Sequence, residues 1–136
     1  MNGRMMQMPL LVSSILQHAA RHHGDTQVVS RRVEGDLHRT TYAQIAKRAA
    51  QVANALQRLG IAPADRVATI AWNGYRHLEL YYGVSGSGAI LHTINPRLHL
   101  DQLVYIINHA DDRVVCFDIT FAPLVAALAP RCSGVK

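Results

Sequence analysis

Two cysteines, Cys116 and Cys132, are all that the 136 residues carry. They are too few for a disulfide-stapled secreted domain, and they have neither a CxxC spacing nor a nearby Cys/His quartet for a structural metal. A reducing compartment, the cytoplasm, is the expectation. Long apolar runs are missing as well. The longest stretch free of Asp, Glu, Lys and Arg runs from Leu80 to Pro96 and includes three Gly, two Ser and a His, whereas a membrane-spanning helix needs about 20 predominantly apolar residues. No transmembrane segment is expected. The opening residues hold one Arg and a mostly apolar run, but Gln7 and Pro9 interrupt it and the basic stretch that follows has no small-residue cleavage pattern, which argues against a signal peptide. Acidic residues are scarce: nine against 14 Lys and Arg, for a formal charge of +5, with eight His that add charge in mild acid. Such a surface favours anionic partners such as phosphorylated cofactors, nucleic acid or acidic lipids without choosing among them.

Generic catalytic signatures are absent too. Gly83, Gly86 and Gly88 do not make GxGxxG and lie inside a helical pattern. No GxxxxGK[ST] loop occurs, and neither Ser85 nor Ser87 is centred in GxSxG.

What is present is an alternation of elements. With 49% hydrophobic residues, the chain has the composition of a globular domain or part of a larger one. Leu10 to His23 reads as a helix ended by Gly24. Gln27 to Val33 and Leu37 to Thr41 read as a hairpin around Glu34-Gly35-Asp36, where Gly35 supplies a positive φ. Thr41-Tyr42-Ala43-Gln44 has the form of a capping box, and Ile45, Ala49, Val52, Ala53, Leu56 and Leu59 follow on one stripe of a helix that stops at Gly60. A strand from Arg66 to Trp72 ends at Asn73-Gly74. Tyr75 to about Gly88 reads as a helix weakened by three glycines, whose use is close backbone packing. A strand from Ile90 to Ile94, a turn at Asn95-Pro96-Arg97, a helix from Leu100 to His109, a strand from Arg113 to Phe117 and a helix from Phe121 to Leu128 complete the order. The β-α-β-α-β-α succession from Arg66 implies parallel strands with right-handed crossovers. The expected fold is therefore α/β: a partial mixed sheet with βαβ units and flanking helices. Residues 131–136 read as a turn leading into a further strand that is cut off, since a doubly wound sheet has more than three parallel strands.

Candidate chemical residues are few, and most have a plainer explanation. His18 and His22, spaced i, i+4, could offer two imidazoles to a metal, but no acidic third ligand accompanies them and a solvated basic helix face is favoured. Asp111-Asp112 fits a helix-ending turn better than a cation site. Cys116 reads as a small core residue. Arg31-Arg32 and Lys47-Arg48 lie on different elements without interleaved aromatics, so no nucleic-acid partner is expected. Ligands in open α/β sheets collect beyond the carboxyl ends of the strands. That rule points to Asn73-Gly74, Asn95-Pro96-Arg97 and Asp118, with Arg97 as the natural anion contact and Asn73 or Asn95 as a hydrogen-bonding group. Each Asn also suits a simple turn.

From His38 to Asp118 the order of motifs resembles the N-terminal part of the large domain of AMP-forming acyl-CoA synthetases, within the adenylate-forming superfamily, and looks most like the medium- or long-chain fatty-acyl-CoA ligases. Thr41-Tyr42 and its helix are similar to a Leu-Thr-Tyr-x-Glu-Leu core motif, with Thr40, Gln44 and Ile45 replacing the Leu, Glu and final Leu. Gly86-Ser87-Gly88-Ala89 followed by Ile90 to Leu98 resembles the Gly-Ala step into a strand and Asn-Pro turn. Asp101 to Asp118 resembles a Glu-Leu-x-Tyr helix and strand ending in Asp, with Asp101 in place of Glu. The resemblance covers nearly the whole of residues 1–136.

The resemblance implies a parent that uses ATP and Mg²⁺ to make an acyl-adenylate from a fatty acid and then transfers the acyl group to coenzyme A. The family's phosphate-binding loop, its adenine and ribose contacts and its catalytic Lys have no counterpart here, so no catalytic residue and no metal ligand is carried over and no cofactor-binding residue is assigned. Residues 1–136 would then be an inactive scaffold piece that binds none of these cofactors fully, in a parent expected to be a homodimer. Two other readings are compatible with the residues: a stand-alone α/β module for an anionic ligand, and an assembly domain whose sheet edge pairs with another chain.

Overall fold

The computed structural model describes residue 3 and residues 6–135. Its first helix, α1, spans Val12–His22. The hairpin follows as β1 (Gln27–Arg31) and β2 (Leu37–Thr41), paired antiparallel with Ser30 opposite His38. Gly35 takes φ 96° in its turn, a conformation side chains resist. Helix α2 (Tyr42–Arg58) starts at the expected capping box: Thr41 Oγ1 accepts the Gln44 N–H at 3.3 Å, and Gln44 Oε1 accepts the Thr41 N–H at 3.1 Å. Two orphan donors at the helix start are thereby satisfied.

Strands β3 (Arg66–Ile70), β4 (Ile90–Thr93) and β5 (Asp112–Phe117) form a parallel sheet in the order β4-β3-β5, joined through α3 (Tyr75–Gly86) and α4 (Leu100–Ala110). Helix α5 (Ala122–Leu128) follows a short 3₁₀ turn. The α/β class and the βαβ units agree with the sequence pattern, and the two strand directions are divided between two separate sheets. Boundaries moved inward at several ends. β3 stops at Ile70, two residues before Trp72, because Trp72 N–H turns to the Asp118 carboxylate. Ala129–Arg131 make a 3₁₀ turn, a second turn follows at residues 133–134, and no further strand forms among the described residues.

Alternation along β3 sorts the core into two layers. Val67 joins Leu56 of α2, Val84 of α3 and Ala89. Ala68 and Ile70 point the other way, onto Leu103 and Ile107 of α4 and Leu128 of α5. Both faces of the parallel sheet are thus covered, as such sheets require. Of the three glycines expected to serve close packing, Gly83 does so: a Cβ there would lie 2.7 Å from Val52 and 2.8 Å from the Ala49 carbonyl, so α2 and α3 meet at backbone distance, whereas a Cβ on Gly86 would meet only Ser13 at 3.9 Å and Gly88 lies past the end of α3 with φ 84°.

Candidate functional site at the carboxyl ends of the strands

β3 sends its chain to α3 on one face of the sheet, whereas β4 and β5 send theirs to α4 and α5 on the other. The loops leaving β3 and its neighbours therefore diverge, and ligands of open α/β sheets settle in such crevices.

Asp118 organises this edge. Its Oδ2 accepts the Trp72 N–H at 2.7 Å and its own N–H donates to the Ile70 carbonyl at 3.1 Å, locking the exit of β5 to that of β3. Trp72 Nε1 donates to Thr120 Oγ1 at 3.0 Å, and its ring lies 5.0 Å from that of Phe121. The hairpin is pinned to the same place: Ser30 Oγ accepts the Tyr75 N–H at 3.0 Å, and Arg76 Nη2 pairs with Glu34 at 2.7 Å. That guanidinium holds the Glu34 carboxyl below its usual range.

Between the exit of β3, α3 and β4 lies an open groove of about 460 Å³, lined by Asn73, Gly74, His77, Leu78, Tyr81 and Thr93. A much smaller cleft, about 20 Å³, sits on the hairpin side among Arg31, Arg32, Trp72, Asn73, Arg76 and Asp118. The larger groove has one titratable imidazole. His77 Nε2 lies 3.1 Å from Thr69 Oγ1 on β3, and burial pushes its pKa down from 6.5 with Asp118 opposing. A neutral His77 is the consequence at neutral pH. Thr69 is only 1% exposed, so its hydroxyl orients the ring and cannot meet a substrate as a nucleophile. The groove can place one imidazole and one amide against an apolar wall, which suits orientation of a ligand better than bond making.

Asn73 and Gly74 line both cavities, and Asp118 lines the smaller one. Arg97 lines neither. Its N–H bonds Asn95 Oδ1 at 3.0 Å, so Asn95 serves the turn. Arg31 and Arg32 are engaged within the hairpin, with the Gly35 carbonyl and Asp36 respectively. Arg48 pairs with Glu79 on α3. The rings of His18 and His22 are 4.6 Å apart, and among the described residues no group of three His, Cys, Asp or Glu is placed to hold a metal ion. Asp111 caps α4 in the left-handed conformation, as a helix-ending turn. Asp112 departs from that reading: it opens β5, fully buried, with Oδ2 2.8 Å from His92 Nδ1. Cys116 is half-buried and burial raises its thiol pKa, which makes it an inert packing residue. His77, Trp72 and Thr120 were not singled out by sequence reasoning. The only signal for His77 was its place in the first turn after Asn73-Gly74.

Residues 16–133 match the family described as AMP-binding enzyme. The chain belongs to this family. As an AMP-binding enzyme chain it is 54% identical over all 136 residues to a 3-methylmercaptopropionyl-CoA ligase of Ruegeria lacuscaerulensis, covering 25% of that protein. It is 49% identical over its full length to a medium-chain-fatty-acid–CoA ligase of Ectopseudomonas oleovorans, again 25% of the relative. A long-chain-fatty-acid–CoA ligase of Thermus thermophilus matches at 47% over 97% of the chain and 24% of the relative. The chain thus spans about a quarter of the length of these curated relatives. Among solved structures it is similar to the N-terminal domain of FACL13 from Mycobacterium tuberculosis, with TM-score 0.83 and 28% identity over 93% of this chain and 32% of that one. No helix among the described residues is long and apolar enough to cross a membrane.

Proposed function

We propose that residues 1–136 are the N-terminal portion of the large domain of an acid-thiol ligase. The parent activates a medium- or long-chain fatty acid with ATP and Mg²⁺ to an acyl-adenylate and passes the acyl group to coenzyme A. The observation that carries this reading is similarity along the whole chain to CoA ligases, two of which act on fatty acids by name. The geometry supports a scaffold role for this portion. Its carboxyl-edge groove offers Asn73, His77 and an apolar wall of Leu78 and Tyr81, compatible with one side of an acyl site. Among the described residues, no side chain at this edge pairs an exposed nucleophile with a base. ATP, Mg²⁺ and coenzyme A belong to the parent, and this portion alone holds none of them fully. Exposed Leu10, Leu11 and Ile15 at the start of α1 support a homodimer contact, and the cytoplasm is the compartment we assign to the parent.

ATP–pyrophosphate exchange in the presence of octanoate tests the assignment. The 136-residue chain is expected to show no exchange above buffer, while a full-length relative assayed alongside turns over. Exchange by the chain alone would refute the scaffold role.

A further inference from the structure

Helix α1 has two faces. On the inner one Leu16 is buried with Ile45 and Ala49 of α2. On the outer one lie Leu11 at the N-cap, Ile15, His18 and His22, all exposed, Leu11 by 55% and Ile15 by 60%. Their spacing of four, three and four residues sets them on a single stripe, the pattern by which one helix packs along another. The stripe is apolar in its first half and imidazole in its second.

The rings of His18 and His22 have centroids 4.6 Å apart, close to the roughly 5 Å at which two imidazoles sit on one tetrahedral ion. Neither ring enters an ion pair among the described residues. His22 stands in the last turn of α1, where unsatisfied carbonyls favour a cation. One chain cannot complete the site. Among the described residues no group of three His, Cys, Asp or Glu is placed to hold a metal ion, whereas a closed zinc site takes four ligands. His23, its ring 5.9 Å from that of His18, stands past the helix end.

A second copy supplies what is missing. A two-fold axis running along the stripe sets each of its residues against its own copy. Leu11 and Ile15 then cover each other, and farther along the helix two imidazoles from each chain converge. We propose that His18 and His22 are one half of a zinc site shared between two copies of this chain, an inference that rests on the homodimer contact at α1 proposed above. A few apolar residues fall well short of the roughly 20–30 a side found in stable interfaces, so the ion supplies strength and the apolar pair supplies alignment. Imidazole suits zinc, and four of them make a closed tetrahedral set.

Sedimentation of the 136-residue chain with zinc chloride or with EDTA tests the site. Zinc is expected to bind at one ion per two chains and to tighten dimerisation by about tenfold or more over EDTA. His18→Ala and His22→Ala are each expected to return it to within about twofold of the EDTA value, while His109→Ala, an exposed histidine on α4, keeps the zinc effect. Equal association in zinc and EDTA would overturn the proposal. So would one zinc per chain without dimerisation, or an equal loss from His109→Ala and His22→Ala. A dimer in EDTA that Ile15→Glu dissociates and zinc does not tighten would overturn the zinc site and leave the homodimer contact standing. A monomer under both conditions would remove the site and the contact together. The ligase assignment rests on similarity along the chain and is untouched by either result.

Discussion

Two polar pairs are set into the otherwise apolar layers on the two faces of the parallel sheet, and they differ in kind. On the α2/α3 face, near the carboxyl ends, Thr69 and His77 share a bond between neutral groups, and the imidazole borders an open groove. On the α4/α5 face, His92 of β4 reaches across Ala68 in the middle of β3 to Asp112 at the start of β5. Asp112 is fully buried and its Oδ1 has no hydrogen-bond partner. The first pair costs little and leaves a ring free to face a ligand. The second sinks a carboxyl group where one oxygen goes unsatisfied, a price in desolvation that ties both edge strands across the middle one. The pair on the α2/α3 face is thus placed for contact and the pair on the α4/α5 face for cohesion.

Breaking the Asp112 pair carries the largest expected effect. His92→Ala removes the one side-chain partner of a buried carboxyl group and is expected to lower stability by about 1–3 kcal/mol, read from urea unfolding midpoints. A change below a few tenths would mean that the pair does not hold the sheet.

The pH response sharpens the contrast, because the two sites have opposite signs. Burial raises the Asp112 pKa from 3.8, so the folded state binds the proton more tightly than the unfolded chain. Its contribution to stability is therefore lost as pH rises from 3.8 through the folded value. Burial lowers the His77 pKa from 6.5, so the unfolded chain binds the proton more tightly and stability is lost as pH falls below 6.5. Unfolding midpoints between pH 4 and pH 8, about the range the two groups span, are expected to lose their decline on acidification near pH 6 in His77→Gln. In Asp112→Asn they are expected to lose the opposing slope at lower pH. Identical slopes in the two variants would erase the distinction.

Much of the fold was legible because its signals are local. The Thr41 capping box, the turn at Gly35 and the stop after Leu59 depend on neighbours within four residues, and each stands where the pattern put it. The rule about carboxyl ends located Asn73 and Asp118 correctly but could not rank them. Asp118 bonds a backbone N–H 46 residues away, and His77 meets Thr69 only after α3 folds back on β3. Asp112 misled for a related reason: beside Asp111 it looked like half of a turn. A register shift in the pairing of β5 with β3 leaves Asp112 opposite Arg66 and facing His92, and nothing in a single sequence announces that shift. Arg97 was a reasonable anion contact by charge, yet it lines neither cavity at that edge.

The central claim is that these residues form the structural quarter of a CoA ligase, and a chimera tests it most directly. The matching quarter of the Ectopseudomonas oleovorans medium-chain ligase would be replaced by residues 1–136, and acyl-CoA formation from octanoate, ATP and coenzyme A would be measured. Thioester formation within about tenfold of the unmodified ligase is the predicted result if the substituted part supplies scaffold, as proposed, and leaves the reacting groups in place. A chimera that melts cooperatively like its parent but forms no thioester would contradict the account.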